Sequence, residues 1–376
     1  MSIYRERFAA TLAHAPVDRC PIDLTGCPQA TIISDDLWRA LADELGLTGE
    51  RPTDYAHGDH RVVQAFDADF RRVGGFFNFA TGRERTTDDG FVNCYGMRYR
   101  YAHPYADIVE FPLHEATFDE IAAYQLPTMA QMIDPGQLER WEAEARYWFA
   151  QTPYVVVSEH PVWGVLEMAC WLCGYDCIME MLASEPEWIH LLFSKILAFQ
   201  KDITKLYYER VGRYCHITTS GDDFGTQRGP FMSPAMFREY VKPYFGERIA
   251  YTHQFTEAVY LHHSCGSIFD IIPDLAEIGV GILNPIQPVA HMAPETLKAA
   301  YGERIVFHGG LDTQEVLPSN DPQRISAAVE HLLAAMRPQS TGGYIFAAAH
   351  NLQADVPASA VACMFQTALR LQLNKP

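Results

Sequence analysis

One short segment of the 376-residue chain combines metal-binding residue types with suitable spacing: His263-Ser264-Cys265. Alternate residues of an extended chain project to one side. His263 and Cys265 can therefore share an ion while His262 and Ser264 face away. Imidazole nitrogen and thiolate sulfur suit Zn²⁺, at ~2.0–2.1 Å and ~2.3 Å. Ordinary packing competes with this reading, because a free Cys is among the most buried residue types. Placement at the end of an apolar run, with Gly266 following, favours the metal. A catalytic zinc keeps three protein ligands and one open position. His350 ends a different apolar run and is the third ligand expected. Asp222, Asp223, His308, Glu167, Cys27 and Cys94 are the other candidates.

Further polar residues gather at similar places. Asp222-Asp223 follows residues 216–220 (HITTS), and paired carboxylates bind cations, take protons or orient ligands. Their competing role is to cap a turn or helix. Gln227 and Arg228 follow in the same loop, the first able to orient a substrate and the second to neutralise an anion. Asn284 ends residues 281–284 (GILN) and His308 ends 305–308 (IVFH). Gly309-Gly310-Leu311-Asp312 then forms a glycine turn with no Lys or Arg in it. Close approach of backbone to a ligand, with Asp312 facing it, is expected there rather than phosphate binding. Asp222, Asp223 and Asp312 are the expected catalytic carboxylates; Gln227, Arg228, Asn284 and His308 are the expected substrate contacts. Cys170, Cys173 and Cys177 spell CxxCxxxC, one cysteine short of a local four-thiolate cluster site. An apolar, cysteine-rich core is the preferred reading.

The elements that must position these residues recur in order. Eight short runs read as strands: residues 20–24, 69–73, 154–158, 216–220, 258–262, 281–284, 305–308 and 344–349. Helical patterns lie between them, at 175–183 and on to 210, and at 235–245, 268–278, 294–301 and 322–336. Strands alternating with helices argue for a parallel sheet covered on both sides, and eight units argue for a (β/α)8 TIM barrel. No GxGxxG supports the open doubly wound alternative. Residues 1–16 read as a short helix with Phe8 and Leu12 on one face, part of an N-terminal extension. No linker divides the chain, so residues 1–376 are expected to form one domain. In a barrel, chemistry sits at the C-terminal ends of the strands, where the residues above collect.

Composition narrows the partners. Twenty-nine Lys and Arg against 47 Asp and Glu give a net charge of −18. Nucleic-acid surfaces and polybasic membrane patches need the opposite sign. No apolar run approaches the ~20 residues that span a bilayer. Residues 1–16 lack the apolar centre of a signal peptide, and an odd count of nine cysteines does not suggest a disulfide framework. A cytoplasmic location is expected.

At these residues the chain resembles the uroporphyrinogen decarboxylase superfamily, over nearly its whole length. The resemblance is carried by Arg5-Glu6-Arg7-Phe8 through Pro21-Ile22-Asp23-Leu24, and by GDDFGTQRGPFMSPAMFREYVKPYF at 221–245. FHGGLDTQEVL at 307–317 and AHNLQADVP at 349–357 complete it. It implies a TIM barrel, commonly a homodimer. The haem-pathway branch carries an Arg-rich loop of the MRQAGRY type; here Gly26-Cys27-Pro28-Gln29-Ala30 contains no Arg. The other branch resembles methylcobamide:coenzyme M methyltransferases, zinc enzymes that work with corrinoid proteins. Their ligands are an HxC pair and a later Cys. His263 and Cys265 match the pair, and His350 stands where the later Cys is expected, replacing sulfur by nitrogen and leaving a less electron-rich zinc. The resemblance implies a zinc-dependent methyltransferase, with the corrinoid (cobalamin) on a separate partner protein and a small methylated donor or acceptor as substrate. The alternative is a metal-free decarboxylase or lyase of the same superfamily.

Overall fold

Seven of the eight expected runs are strands in the computed structural model, which describes residues 2–75, 85–102, 105–289 and 291–373. They are β1 (Phe70–Gly74), β6 (Val155–Glu159), β7 (Ile217–Gly221), β8 (Val259–His263), β9 (Val280–Asn284), β10 (Val306–His308) and β11 (Tyr344–Ile345). Each pairs in parallel with the next in chain order, so one sheet runs β1-β6-β7-β8-β9-β10-β11. Such neighbours need a crossover, and helices supply it: Val165–Cys173, Tyr175–Ser184 and Pro186–Val211 between β6 and β7, for example.

The strands are buried on both faces, which explains their apolar runs. Alternation sorts the side chains. Phe70, Val155, Val157, Ile217, Leu261 and Ile282 belong to a cluster enclosed by the curled sheet. Val156, Tyr260 and Leu283 point the other way, into the larger core beneath the helices. Phe8 and Leu12, on one side of helix Ile3–Leu12, pack against the enclosed cluster, as their spacing predicts.

The eighth expected strand, at 20–24, is reduced to a single parallel bridge between Ile22 and Phe346. Pro21 has no N–H to donate, and the Asp23 side chain turns back to accept the amides of Thr25, Gly26 and Cys27, ending the extended run. The segment nevertheless spans the two edges of the sheet. Phe346 N–H donates to Pro21 O, Asp23 N–H to Phe346 O and Asp69 N–H to Ile22 O, each at 2.9 Å. Buried Asp69 holds it further, accepting from Arg7 at 2.6 Å, Arg19 at 2.7 Å and the Ile22 amide at 2.8 Å.

A four-stranded antiparallel sheet between β1 and β6 has no counterpart among the expected strands. It comprises β2 (Arg85–Thr86), β3 (Gly90–Val92), β4 (Arg98–Ala102) and β5 (Tyr105–Glu110). Its strands are short and half exposed, so alternation is weak, and cross-strand pairs such as Phe91 stacked on Tyr99 at 4.7 Å hold it. The helix expected at 235–245 is divided: Pro234–Met236, a π-helical turn at Phe237–Val241, then Lys242–Thr252. Pro243 removes an amide from the ladder and its ring displaces the preceding carbonyl, which a widened turn accommodates. Among the described residues no helix is long and apolar enough to cross a membrane.

Candidate metal centre

The ends of β8 and β11 bring the three candidate ligands together. His263 closes β8, and Cys265 follows two residues on, on the same side of the chain. His350 arrives beyond β11: parallel bridges at Phe346 and Ala348 continue the strand, and the Ala349 amide donates to Leu311 O at 2.8 Å where the chain then bends. One ligand atom from each of His263, Cys265 and His350 lies within 4.8 Å of the other two. Cys265 Sγ is 3.3 Å from His263 Nε2. His262 faces away, stacked on Phe224, as alternation requires. Among the described residues this is the one such group of His, Cys, Asp or Glu. Cys27 and Cys94 are outside it, and Cys170, Cys173 and Cys177 are buried free thiols in the helical core.

The loops after β7 and β8 interlock beneath Cys265. Ser267 N–H donates to Thr226 O, and Gly266 N–H to Gln287 Oε1 at 2.6 Å. Gly266 has φ +80°, and a Cβ there would meet the Gly225 carbonyl carbon at 2.3 Å. Only glycine permits both the conformation and the approach. Asp223 Oδ1 accepts the Cys265 amide at 2.7 Å. Burial, reinforced by the Asp223 charge, pushes the Cys265 thiol up to about 12. Burial drives His350 down to about 4, leaving a neutral imidazole. The donors are thus one thiol that needs a cation beside it to ionise and two neutral imidazoles. Residues of these types, converging this closely, fit a zinc ion.

Asp222 and Asp223 part company. Asp222 is buried, and its two oxygens accept the amides of Leu166 and Glu167 at 3.1 and 2.7 Å, at the start of helix Val165–Cys173. Burial raises its carboxyl to about 7, against the pull of those amides. Glu167, the next acid along, is raised well above its usual range by burial and by the charges of Asp223 and Asp222, and its buried Oε2 has no hydrogen-bond partner.

Asn284 and His308 stand behind the ligands rather than in the mouth. Both are fully buried. Asn284 Oδ1 is 2.5 Å from His263 Nδ1, and Asn284 Nδ2 is 2.8 Å from His308 Nδ1. His308 Nε2 is 2.9 Å from Asp23 Oδ2. Burial alone would raise Asp23, but the His308 bond and the Gly26 and Cys27 amides hold its carboxyl below the ordinary range. Asp23 was absent from the candidates read from the sequence; the Asp23-Leu24-Thr25-Gly26 run of a side-chain turn was its one local signal.

A cavity of about 550 Å³ opens beside the ligands, bordered by Cys265, His350, Gln227, Asp312 and Asn351. Gln227 is exposed at its rim. Asp312 Oδ1 accepts the amides of Gln314, Glu315 and Val316, so one oxygen fixes the turn. Arg228 is exposed in the loop after β7. Asn351 also borders a second cavity of about 430 Å³ that contains the buried pair Arg72–Glu159, 3.5 Å apart, which sequence reading missed.

The model of the uroporphyrinogen decarboxylase (URO-D) family matches residues 162–371, more than half of the chain. The chain belongs to that family. A solved methyltransferase from Methanosarcina mazei superposes with TM-score 0.68 over 99% of each chain at 14% identity, which establishes a common fold. Xylanase 10B from Thermotoga maritima is more distant, at TM-score 0.41 and 10% identity over 70% of this chain and 85% of that one. No curated protein sequence matches the chain.

Proposed function

We propose that this protein is a zinc-dependent methyltransferase of the uroporphyrinogen decarboxylase family, moving a methyl group between a small substrate and a corrinoid carried by a separate protein. One observation carries the reading: ligand atoms of His263, Cys265 and His350 lie within 4.8 Å of one another beside an open cavity. A three-residue site with room beside it has the pattern of a catalytic rather than a structural zinc. Membership of the family and a fold shared with a methyltransferase support it. We read the seven-stranded sheet and the bridging segment 21–23 as a (β/α)8 barrel formed by residues 1–376 as one domain, and take a homodimer and a cytoplasmic location as its setting.

His263, Cys265 and His350 would hold the metal, which would supply a Lewis acid for the heteroatom that gains or loses methyl. Asp223, whose Oδ1 lies 3.7 Å from His263 Nε2, passes to the heteroatom the proton it gains on losing methyl, or takes the proton it loses on gaining methyl. Gln227 and the free oxygen of Asp312 orient the substrate in the cavity, and Arg228 at the surface meets an anionic group. Asp222 acts at one remove, by fixing helix Val165–Cys173. Two nitrogens and one sulfur leave the ion more electron-poor than a sulfur-rich set would, which favours activation of an ether or amine over a thiol.

The experiment is metal analysis with an activity assay. Purified protein is expected to hold one zinc per chain and to demethylate added methylcobalamin in the presence of the right acceptor, and a chelator should abolish both. A protein without stoichiometric zinc that leaves methylcobalamin intact and decarboxylates a small carboxylate would be a metal-free lyase instead.

A further inference from the structure

We infer that Asp23, His308 and Asn284 form a buried relay that fixes the tautomer of His263 and so presents its Nε2 lone pair to the metal site. This rests on the metal-site reading above, and it assigns these three residues a positioning role rather than contact with substrate.

The chain of contacts has one consistent polarity. Asp23 sits among three backbone N–H groups, from Thr25, Gly26 and Cys27, at 3.1, 2.6 and 2.9 Å, an environment that selects the carboxylate. A carboxylate only accepts, so His308 donates from Nε2–H across 2.9 Å. The Asn284 amide NH₂ faces His308 Nδ1 across 2.8 Å, so that ring nitrogen accepts. The amide oxygen of Asn284 is thereby turned to His263 and accepts from Nδ1–H across 2.5 Å. His263 is left with its lone pair on Nε2, the atom 3.3 Å from Cys265 Sγ. Each residue has one free choice of orientation, and the carboxylate at the far end sets all of them.

The backbone shows why this arrangement is built in. A Cβ on Gly26 would stand 2.8 Å from Asp23 Oδ2 and 2.8 Å from Phe70 Cβ, so the turn that cradles the carboxylate admits only glycine. Asp23 belongs to the segment that spans the two edges of the sheet. Docking of residues 21–27 and presentation of His263 are therefore one event, although 240 positions separate Asp23 from His263.

Asp23→Asn reverses the polarity. An amide NH₂ facing His308 turns that ring to its Nδ1–H form, turns Asn284 over, and places the proton of His263 on Nε2. Asn284→Leu severs the relay without disturbing the Asp23 turn. Asn284→Asp keeps an acceptor for His263 and is the conservative control. Two readouts on the full chain decide the matter. Nitrogen-15 spectra of histidine-labelled, metal-free protein should show His263 as the Nδ1–H tautomer in the wild type and Asn284→Asp, and not in Asp23→Asn or Asn284→Leu. Competition with a chelator should show zinc affinity about 10–100-fold weaker in those two variants, the range typical for loss of a ligand's supporting hydrogen bond, and near wild type in Asn284→Asp. Wild-type His263 protonated on Nε2, or folded Asp23→Asn and Asn284→Leu proteins that bind zinc as the wild type does, would overturn the relay while leaving the metal reading intact. A wild type that binds no zinc would defeat the metal reading, and the nitrogen-15 tautomer would still decide the relay. Circular dichroism establishes that each variant is folded.

Discussion

Asp223 Oδ1 accepts the backbone amide of Cys265 at 2.7 Å and stands 3.7 Å from His263 Nε2. One carboxylate thus pins the turn that carries the thiol and puts a negative charge beside the ligand atoms. The two effects separate by substitution. In metal-free protein, Asp223→Asn keeps an oxygen for the amide and removes the charge that helps hold the Cys265 thiol up at about 12. Alkylation of Cys265 between pH 8 and 9, followed on its own peptide by mass spectrometry, should therefore be faster in Asp223→Asn. An unchanged rate would mean that burial and the Glu167 charge set the thiol without Asp223.

The mixed donor set makes a spectroscopic prediction. Cobalt(II) in place of zinc should give a charge-transfer band from the single thiolate, Cys265. The band should vanish in Cys265→Ala and gain intensity in His350→Cys, which adds a second thiolate. A band that persists in Cys265→Ala would place the metal elsewhere.

Asp222 makes a stability prediction. It caps helix Val165–Cys173 with both oxygens, so Asp222→Ala should cost about 1–2 kcal/mol, the usual range for loss of a cap. Gly164→Ala should cost more, because its Cβ would sit 1.9 Å from Asp222 Cγ and force the carboxylate off the amides. Urea unfolding midpoints at constant m-value measure both. If Asp222→Ala instead leaves stability unchanged and removes only turnover, the side chain works in the chemistry itself.

The pH dependence of stability has a named contributor away from the site. Burial, helped by the Arg5 charge, drives His216 from 6.5 down to about 4, and its Nδ1 accepts the Val156 amide at 3.0 Å. Between those two values the unfolded chain binds a proton that the folded chain refuses. The group's contribution is therefore fully present above pH 6.5 and is lost as the pH falls toward 4, on the order of 3 kcal/mol in total. Denaturant unfolding from pH 7 to 4.5 should show the decline, and His216→Gln should make it shallower. An identical slope in the variant would assign the decline to the other buried histidines.

Much of this architecture is legible in local sequence. Apolar β-branched runs bounded by Gly and Pro locate β1 and β6 to β11 within a few residues, because strands buried on both faces are continuous apolar runs. The period of two places His263 and Cys265 together, since side-chain direction in an extended chain is a local property. The segment at 20–24 and the antiparallel sheet β2–β5 were less legible. In the first, Pro21 and the Asp23 turn interrupt the strand; in the second, pairing between short, half-exposed segments does the work.

The sequence by itself determined which residue types stand at the strand ends and that two of them face one way. Tertiary structure alone decided what each does there. Asp222 and Asp223 are chemically identical neighbours, yet one meets a helix N-terminus and the other the Cys265 amide. Asn284 and His308, expected at a substrate, lie behind His263 because parallel register sets β8, β9 and β10 side by side with their ends level. Asp23 reaches them across the seam of the sheet. Such long-range contacts leave no periodic trace in a single chain, because hydrogen-bond partners and burial depend on which strands the fold makes neighbours.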